Sequence, residues 1–344
     1  MAGMMIPVLS AAAAGLITSV ALVAAAQHLA QRRLLLDHPN ARSLHVQPTP
    51  RGGGIGIAIP ICFAIGGVGV VVPETRGAAT WLAGVGLLVA AVGLVDDVRS
   101  LPAVTRLVAH VSAGALVVWG IGTWPTFLWP GLWHVDLGWA AVPFTVLLIV
   151  GLINAYNFMD GVDGIAGTQG VVAGLGWMGA GYAIEDPLLA VAGAVIAVAS
   201  LGFLFFNWSP ASVFMGDVGS SFLGFVLAAL AVLVAPRSPA IATAGILFVW
   251  PFVFDTTFTF MRRARRRENL LSAHRSHLYQ RLVLTGVSHR TVALLYGGLA
   301  TIGVAVSIAV AREARVASVA GALLIGALAA GLWLAVIWRE RVLT

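Results

Sequence analysis

Long apolar stretches separated by short polar segments recur along the whole chain. A helix rises about 1.5 Å per residue, so about 20 apolar residues cross the roughly 30 Å of hydrocarbon in a bilayer. Stretches of this kind predict eleven spanning helices, which makes the chain an all-α, polytopic membrane bundle. The predicted spans are residues 5–27, 54–72, 78–95, 103–121, 140–156, 165–184, 187–206, 221–236, 240–260, 291–310 and 316–338.

The composition agrees with this fold class. Hydrophobic residues make up 59% of the chain and charged residues only 10%, against about 25% charged residues in soluble domains. The longest polar segment, 261–290, is too short for an independent core, so we expect one transmembrane domain over residues 1–344. A single cysteine, Cys62, excludes intrachain disulfides, and the absence of lysine excludes lysine-based catalysis.

The basic residues, all of them arginines, indicate which side of the membrane each loop faces. Cytoplasmic loops of membrane proteins carry an excess of Lys and Arg. With eleven spans and the N-terminus outside, 16 of the 20 arginines lie at or beside the cytoplasmic face, where the C-terminus also lies. Because the arginines sit between apolar spans, the net charge of +6 indicates contacts with membrane lipids and anionic ligands, not with nucleic acid.

Polar segments that follow the odd-numbered spans share the cytoplasmic side. They cover residues 31–53, 96–102, 154–167, 207–220 and 261–290. Acidic residues beside apolar helices are costly unless they bind a cation or a charged partner. Three of these segments contain such acids, and the other two are rich in Arg and His. We therefore expect one site for a metal ion and phosphate groups at the membrane surface.

Two of the acidic segments carry most of this prediction. The third predicted helix ends in Asp96 and Asp97, where negative charge opposes the helix dipole, so a functional role is favoured over a solvated acid pair. In 154–167 polar residues recur at every third position beside glycines, which predicts a break with backbone close to a ligand. The four are Asn154, Asn157, Asp160 and Asp163. The alternative for Asp163 is a cap of the next helix.

Two glycine-rich segments precede predicted helices. Asp217, between Gly216 and Gly219, is placed to bring a metal to a helix N-terminus, and the alternative is a plain N-cap. The segment Pro-Thr-Pro-Arg-Gly-Gly-Gly at 48–54 contains Arg51 and suits a phosphate, with an ordinary loop as the alternative.

The remaining polar residues of interest lie in or near the last spans. His274 and His277, with Arg275 between them, are predicted to share one helical face. A zinc site would need a third and a fourth ligand, and the sequence offers none nearby, so contact with phosphate or sugar is favoured over zinc. Asp255 is expected to contact the basic end of its own helix, in a structural role. His110 is expected to be a packing histidine.

In chain order, these motifs resemble those of the polyprenyl-phosphate N-acetylhexosamine-1-phosphate transferase superfamily. The motifs read PTPRGGG, DDVRS, NAYNFMDGVDGIAG, VFMGDVGSS and HRSHLYQRL. The resemblance covers essentially the whole chain and is greatest to the bacterial branch that initiates O-antigen and other lipid-linked glycans. The peptidoglycan translocase of the same superfamily usually has adjacent histidines in the last motif, so a muramyl-pentapeptide transferase is the alternative.

The resemblance implies transfer of an N-acetylhexosamine-1-phosphate from a UDP-sugar to undecaprenyl phosphate, with release of UMP and with Mg²⁺ or Mn²⁺ as cofactor. It also implies the bacterial cytoplasmic membrane, with the site facing the cytoplasm. By motif match, Asp96 and Asp97 orient or deprotonate the lipid phosphate, and Asp217 and Asn157 hold the metal. The implied substrate-binding residues are Arg51, Asn154, Asp160, Asp163, His274, Arg275 and His277.

The chemistry of the acceptor favours direct in-line attack. A phosphate monoester has a second pKa of about 6 and is mostly dianionic at neutral pH, so its oxygen needs little help from a base. A covalent aspartyl-phosphate on Asp97 is the rival route. A secondary transporter would place its polar residues near the bilayer midplane, whereas here they lie in loops on one face. The sequence leaves open which N-acetylhexosamine is used and whether the chain forms a homodimer.

Overall fold

The computed structural model describes residues 2–33, 36–37, 48–129, 133–269 and 274–343. These residues form thirteen α-helices and two short antiparallel strand pairs. The helices are α1 (Ala2–Arg33), α2 (Ile55–Val71), α3 (Arg76–Arg99), α4 (Ala103–Gly120), α5 (Ala141–Met159), α6 (Ile165–Ala183), α7 (Pro187–Asn207), α8 (Asp217–Val234), α9 (Pro239–Leu247), α10 (Trp250–Arg265), α11 (Leu278–Leu284), α12 (His289–Ala311) and α13 (Arg315–Leu343). The strands are β1 (Leu36–Asp37), which pairs with β2 (Thr49–Pro50), and β3 (Thr126–Trp129), which pairs with β4 (Trp133–Asp136).

The helices confirm a multi-pass membrane bundle. Among the described residues, eight helices are long and apolar enough to cross a membrane, and α9 with α10 makes a ninth if this bent pair is counted as one span. Each of the eleven predicted spans overlaps a helix, but α2 has only 17 residues, and α6 is rich in glycine and contains the buried Gln169. The exact number of eleven and the orientation in the membrane therefore stay predictions.

Helix α8 lies at the centre of the bundle, and nearly all of its residues are buried. It packs against α3 and α5 with backbones in close contact. A side chain in place of Gly93 of α3 would meet the backbone of Asp217, and one in place of Gly224 would meet the backbone of Leu152 in α5. Small residues allow this approach between membrane helices. The close packing fixes the start of α8 against the end of α3, where the acidic motifs lie.

The predicted span 240–260 is wrong as a continuous helix, because α9 and α10 meet at a 70° bend. Pro251 lies in the first turn of α10, where its ring is tolerated although it cannot continue a preceding helix. A break at membrane depth leaves backbone groups that must be paired inside the protein. Gln169 Nε2 donates to the carbonyl of Phe248 at 2.7 Å, and the Trp250 indole N–H donates to the Leu299 carbonyl at 2.8 Å. These buried bonds stabilise the bend.

Candidate active site

A polar cavity of about 190 Å³ lies where α5 ends and α8 begins. Five of the residues predicted from the sequence line it together, although they come from three separate segments. They are Arg51, Asn157, Asp160, Asp163 and Asp217. The break predicted within 154–167 is confirmed, since α5 ends at Met159 and α6 begins at Ile165.

Asp97 caps α8 from the neighbouring helix α3. Its Oδ1 accepts the N–H of Asp217 at 2.9 Å, and its Oδ2 accepts the N–H of Val218 at 3.1 Å. Gly216 has a φ of +75°, and a side chain there would collide with the Asp97 carboxylate. The Asp97 carboxylate opposes the dipole of its own helix α3, but it lies at the N-terminus of α8, whose dipole favours a negative charge.

Asp217 is the first residue of α8 and does not cap it, so its carboxylate is free to bind other groups. Its Oδ1 accepts from Asn157 Nδ2 at 2.9 Å, and its Oδ2 accepts from Arg106 Nη1 at 3.3 Å. The same Arg106 nitrogen donates to Asp96 Oδ2 at 3.1 Å. In the sequence Arg106 counts only toward the arginine bias, because its partner Asp217 lies 111 residues away. The fold makes Arg106 the cation that joins two of the predicted site acids.

Asp160 is the least paired acid of the cavity. Its side chain has no hydrogen bond or ion pair with any residue that the structure describes. Burial and the nearby carboxylates of Asp217 and Asp97 raise the pKa of Asp160 well above its usual range. A carboxylate in such surroundings gains from a bound cation.

The carboxylate and amide oxygens of the cavity fit a magnesium ion that is also bound by substrate phosphates. The described residues contain no group of three or more His, Cys, Asp or Glu side chains placed to hold a metal by themselves. Mg²⁺, however, usually takes one or two carboxylates and completes its shell with water and substrate phosphate. Asp217 offers a carboxylate, Asn157 uses only its amide nitrogen in hydrogen bonds to described residues, and Asp160 faces the same cavity.

Arg51 brings positive charge to the side of the cavity formed by β2. Its Nη2 lies 2.8 Å from Asp37 Oδ1, and its Nη1 lies 4.0 Å from Asp97 Oδ1. Burial alone would lower the pKa of Arg51, but the two carboxylates outweigh it and raise the pKa above its ordinary value. Residues 34–35 and 38–47 of the predicted segment 31–53 lie outside the described residues.

Two of the glycines that follow Arg51 are bound to the loop that precedes α8. The N–H groups of Gly53 and Gly54 donate to the carbonyls of Phe214 and Met215 at 3.0 and 2.8 Å. These two N–H groups are therefore not free to bind a phosphate, and their bonds hold Arg51 beside the cavity. Binding of an anion by the segment 48–54 stays a prediction.

Asp163 pairs with His289, and both residues line the cavity. Its Oδ2 lies 3.3 Å from His289 Nδ1 and accepts the N–H of Ala211 at 3.2 Å. Burial would raise the pKa of Asp163, but these partners outweigh it and hold the pKa below its usual value. The alternative role as a cap of α6 is wrong, because Gly164 occupies the cap position. His289 was not predicted, since only the fold brings the start of α12 to this loop.

Asn154 and Asp96 do not line the cavity. Asn154 lies one turn before Asn157, and its amide donates to the Val150 carbonyl at 2.8 Å and lies 3.4 Å from His110 Nδ1. His110 is buried, as expected for a packing histidine.

The segment from His274 to His277 is not helical, so the prediction of a shared helical face is wrong. Helix α11 begins at Leu278, and the two imidazole rings lie 5.0 Å apart. Burial, together with the nearby His277 and Arg263 side chains, lowers the pKa of His274 to about 4. Arg275 is exposed. None of the three lines the cavity, whereas Gln280 of the following helix does, so their contact with substrate stays a prediction.

Comparison with known proteins gives a consistent family. The family model described as glycosyl transferase family 4 matches residues 79–235. A Bacillus subtilis protein named probable undecaprenyl-phosphate N-acetylglucosaminyl 1-phosphate transferase is 31% identical over 85% of this chain and 81% of its own length. A Mycobacterium tuberculosis decaprenyl-phosphate N-acetylglucosaminephosphotransferase is 31% identical over 88% of this chain and 82% of its own length.

A third relative is named as a muramyl-pentapeptide transferase, which is the alternative given by the sequence analysis. The phospho-N-acetylmuramoyl-pentapeptide-transferase of a Synechococcus strain is 38% identical, but over only 54% of this chain and 56% of its own length. The two relatives above that match along most of their length are thus both named as N-acetylglucosamine phosphate transferases. The chain is a sugar-phosphate transferase of bacterial membranes and belongs to the polyprenyl-phosphate N-acetylhexosamine-1-phosphate transferase family, within glycosyl transferase family 4.

Proposed function

We propose that the protein transfers N-acetylhexosamine-1-phosphate from a UDP-sugar to undecaprenyl phosphate, giving undecaprenyl-diphospho-sugar and UMP. The observation that carries the proposal is one cavity in which Asp160, Asp217 and Asn157 face Arg51, beside the start of a helix. This is the charge arrangement needed to hold a metal-bound diphosphate. The names of the long-matching relatives supply the polyprenyl-phosphate acceptor and favour N-acetylglucosamine as the sugar.

The reaction is an in-line displacement at the sugar-bearing phosphorus. A phosphate oxygen of the acceptor forms a bond to that phosphorus, the bond to the bridging oxygen breaks, and UMP leaves with the bonding electrons. Such transfer depends on positioning and charge neutralisation more than on covalent help. Both oxygens of Asp97 accept N–H bonds from α8, which favours a holding role for Asp97 over a covalent aspartyl-phosphate.

Mg²⁺ or Mn²⁺, bound by Asp217 and the amide oxygen of Asn157, would supply neutralisation of the diphosphate charge. Arg106 holds Asp217 toward Asp96 through its guanidinium group. Arg51 remains close to the cavity through Asp37 and is placed to contact a phosphate.

A second cavity, of about 420 Å³, adjoins the first at Arg51. It lies between α1, α2 and α3, and its walls are apolar except at Arg51 and Asp97. A cavity of this shape fits the end of an apolar chain that carries a phosphate. This supports a lipid phosphate as the acceptor.

The arginine distribution supports a site that faces the cytoplasm, where nucleotide sugars are made. We therefore place the protein in the cytoplasmic membrane, at the first step of a cell-surface polysaccharide such as an O-antigen. The peptidoglycan reaction is the second candidate, because a relative of that name matches about half of the chain.

A panel of UDP-sugars tests the proposal. Purified protein in detergent, with undecaprenyl phosphate and Mg²⁺, is given labelled UDP-N-acetylglucosamine, other UDP-N-acetylhexosamines or UDP-muramyl-pentapeptide, and labelled lipid is measured. We expect labelled lipid from an N-acetylhexosamine donor. Labelled lipid from the muramyl-pentapeptide donor alone would establish the second candidate.

Removal of divalent cations is expected to lower the transfer rate by at least about 100-fold, because the charge of the diphosphate is then balanced by arginines alone. The measurement is the initial rate after dialysis against a chelator, followed by addition of Mg²⁺ or Mn²⁺. Full recovery on adding either ion is expected. A rate that stays within twofold after chelation contradicts the metal site.

Replacing His289 by glutamine is expected to raise KM for the UDP-sugar by roughly tenfold, because Asp163 loses its imidazole partner in the cavity wall. We expect kcat to change by less than threefold. The matched control is H134Q, since His134 is an exposed histidine of β4 and does not line the cavity. Equal KM values for H289Q, H134Q and wild type would exclude His289 from the binding site.

A further inference from the structure

Asp255 of α10 is a fully buried carboxylate that the proposed chemistry does not use. It accepts the N–H of Leu278 at 2.8 Å, the N–H of Tyr279 at 3.0 Å and the hydroxyl of Tyr296 at 2.6 Å. Thr259 adds a fourth donor at 3.2 Å. Buried charges persist in folded proteins when they are hydrogen-bonded in this way. The expectation that Asp255 contacts the basic end of its own helix is therefore wrong.

Two of these four donors, the N–H groups of Leu278 and Tyr279, belong to the first turn of α11. The first N–H groups of a helix have no partner inside it, and Asp255 satisfies those of Leu278 and Tyr279 from a different helix. His277 Nδ1 lies 3.3 Å from the same carboxylate. An ionised carboxylate only accepts, so Nδ1 is the donor in this contact.

The segment held by Asp255 reaches the substrate cavity at two points. The Tyr279 hydroxyl donates to the Phe158 carbonyl at 2.9 Å, at the end of α5, and packs against Gly161 in the cavity wall. Gln280 lines the cavity directly, and its Oε1 accepts the N–H of His277 at 3.3 Å. The position of α11 thus sets the shape of one wall of the cavity.

We propose that Asp255 is a positioning residue, which holds the start of α11 so that Gln280 keeps its place in the cavity wall. Asp255 touches no substrate and acts through α11. Its loss therefore weakens binding of the UDP-sugar more than it slows the transfer step. The kinetic part of this inference rests on the proposed function, whereas the structural part does not.

The carboxylate is required because both of its oxygens accept a backbone N–H. In D255N one oxygen becomes an amide nitrogen, which is a donor. Oδ1 accepts from Leu278 and Oδ2 accepts from Tyr279, so either orientation of the amide places a donor against a backbone N–H. The variant keeps the size of the side chain and removes one helix-start bond. Y296F is the milder change, since it removes one donor and leaves the carboxylate intact.

The experiment measures hydrogen–deuterium exchange of the peptide 277–284 together with KM and kcat for the UDP-sugar. The control is D186N, because Asp186 is a buried acid that caps α7 and pairs with Arg237, outside the cavity. In D255N we expect about tenfold or faster exchange at Leu278 and Tyr279 and about a tenfold higher KM, with kcat within threefold. Y296F is expected to shift both values in the same direction by less, and D186N to shift neither.

Wild-type exchange at Leu278 and Tyr279 in D255N would overturn the inference, as would faster exchange with unchanged KM. If D255N does not fold, Y296F decides, and wild-type exchange and KM in Y296F overturn the inference. If the wild-type protein turns over no UDP-sugar, the proposed function fails. The exchange of D255N then still decides whether Asp255 holds α11.

Discussion

Replacing Asp217 by asparagine is expected to lower kcat by roughly 10³-fold, which corresponds to about 4 kcal/mol of lost transition-state stabilisation. Asp217 is the carboxylate through which the cavity would hold a divalent cation. It also accepts hydrogen bonds from Asn157 and Arg106. The asparagine side chain keeps the size and one acceptor oxygen but loses the charge. Binding of Mn²⁺, followed by electron paramagnetic resonance, should weaken in parallel with the rate.

The control for this change is D136N. Asp136 lies on the strand β4 and accepts the N–H of Gly138, outside the cavity. We expect wild-type rates and Mn²⁺ binding in D136N. If D217N retains more than a third of the wild-type kcat, the assignment of Asp217 to the metal is wrong.

Replacing Asp97 by asparagine is expected to lower kcat by roughly 10²-fold, comparable to the loss of one preorganised electrostatic contact in an enzyme site. The asparagine amide would face the N–H of Asp217 or of Val218, both of which the carboxylate now accepts. The start of α8 would then lose a charged cap, and the carboxylate of Asp217 would move with it. The loss of the cap itself is expected to cost about 1 kcal/mol of stability.

The variant D186N is also the control here, because it distinguishes the loss of a helix cap from the loss of a contact in the cavity. Asp186 caps α7 by accepting the N–H of Leu189 at 3.0 Å, so its replacement removes a comparable contact outside the cavity. We expect a similar loss of stability in both variants and a loss of activity only in D97N. A phosphorylated Asp97, isolated after incubation with UDP-sugar and no acceptor, would instead show that Asp97 is a covalent nucleophile.

Many residues of the cavity could be predicted, because the sequence pattern indicates which polar residues share one side of the membrane. Apolar stretches of spanning length place alternate loops on one side, and the acids stand out because few charges remain in the chain. That reasoning brought Arg51, Asn157, Asp160, Asp163 and Asp217 to one place, and the structure lines the cavity with all five.

The partners of these residues could not be predicted from local pattern. Arg106 lies inside the start of α4 and resembles any arginine at a membrane boundary, yet it joins Asp96 to Asp217. His289 opens α12, 126 residues after its partner Asp163. Such pairs arise from helix packing, and spacing along the chain gives no signal for them.

Two predicted helices are wrong because the sequence pattern predicts a regular helix where the fold interrupts it. The spacing of His274 and His277 predicts one helical face, but Asp255 fixes the start of α11 at Leu278, after both histidines. The apolar pattern predicts a continuous span over 240–260, although Pro251 within it indicates a break. The bond from Gln169 to Phe248 that stabilises the break has no such signal.

The central claim is that a phosphorylated sugar, not the sugar alone, moves to the lipid. The nucleotide released by purified protein from labelled UDP-N-acetylhexosamine, undecaprenyl phosphate and Mg²⁺ tests this claim most directly. We expect UMP in an amount equal to the labelled lipid, since the bond broken lies between the two phosphorus atoms of the donor. Release of UDP, or labelled lipid without UMP, would contradict it.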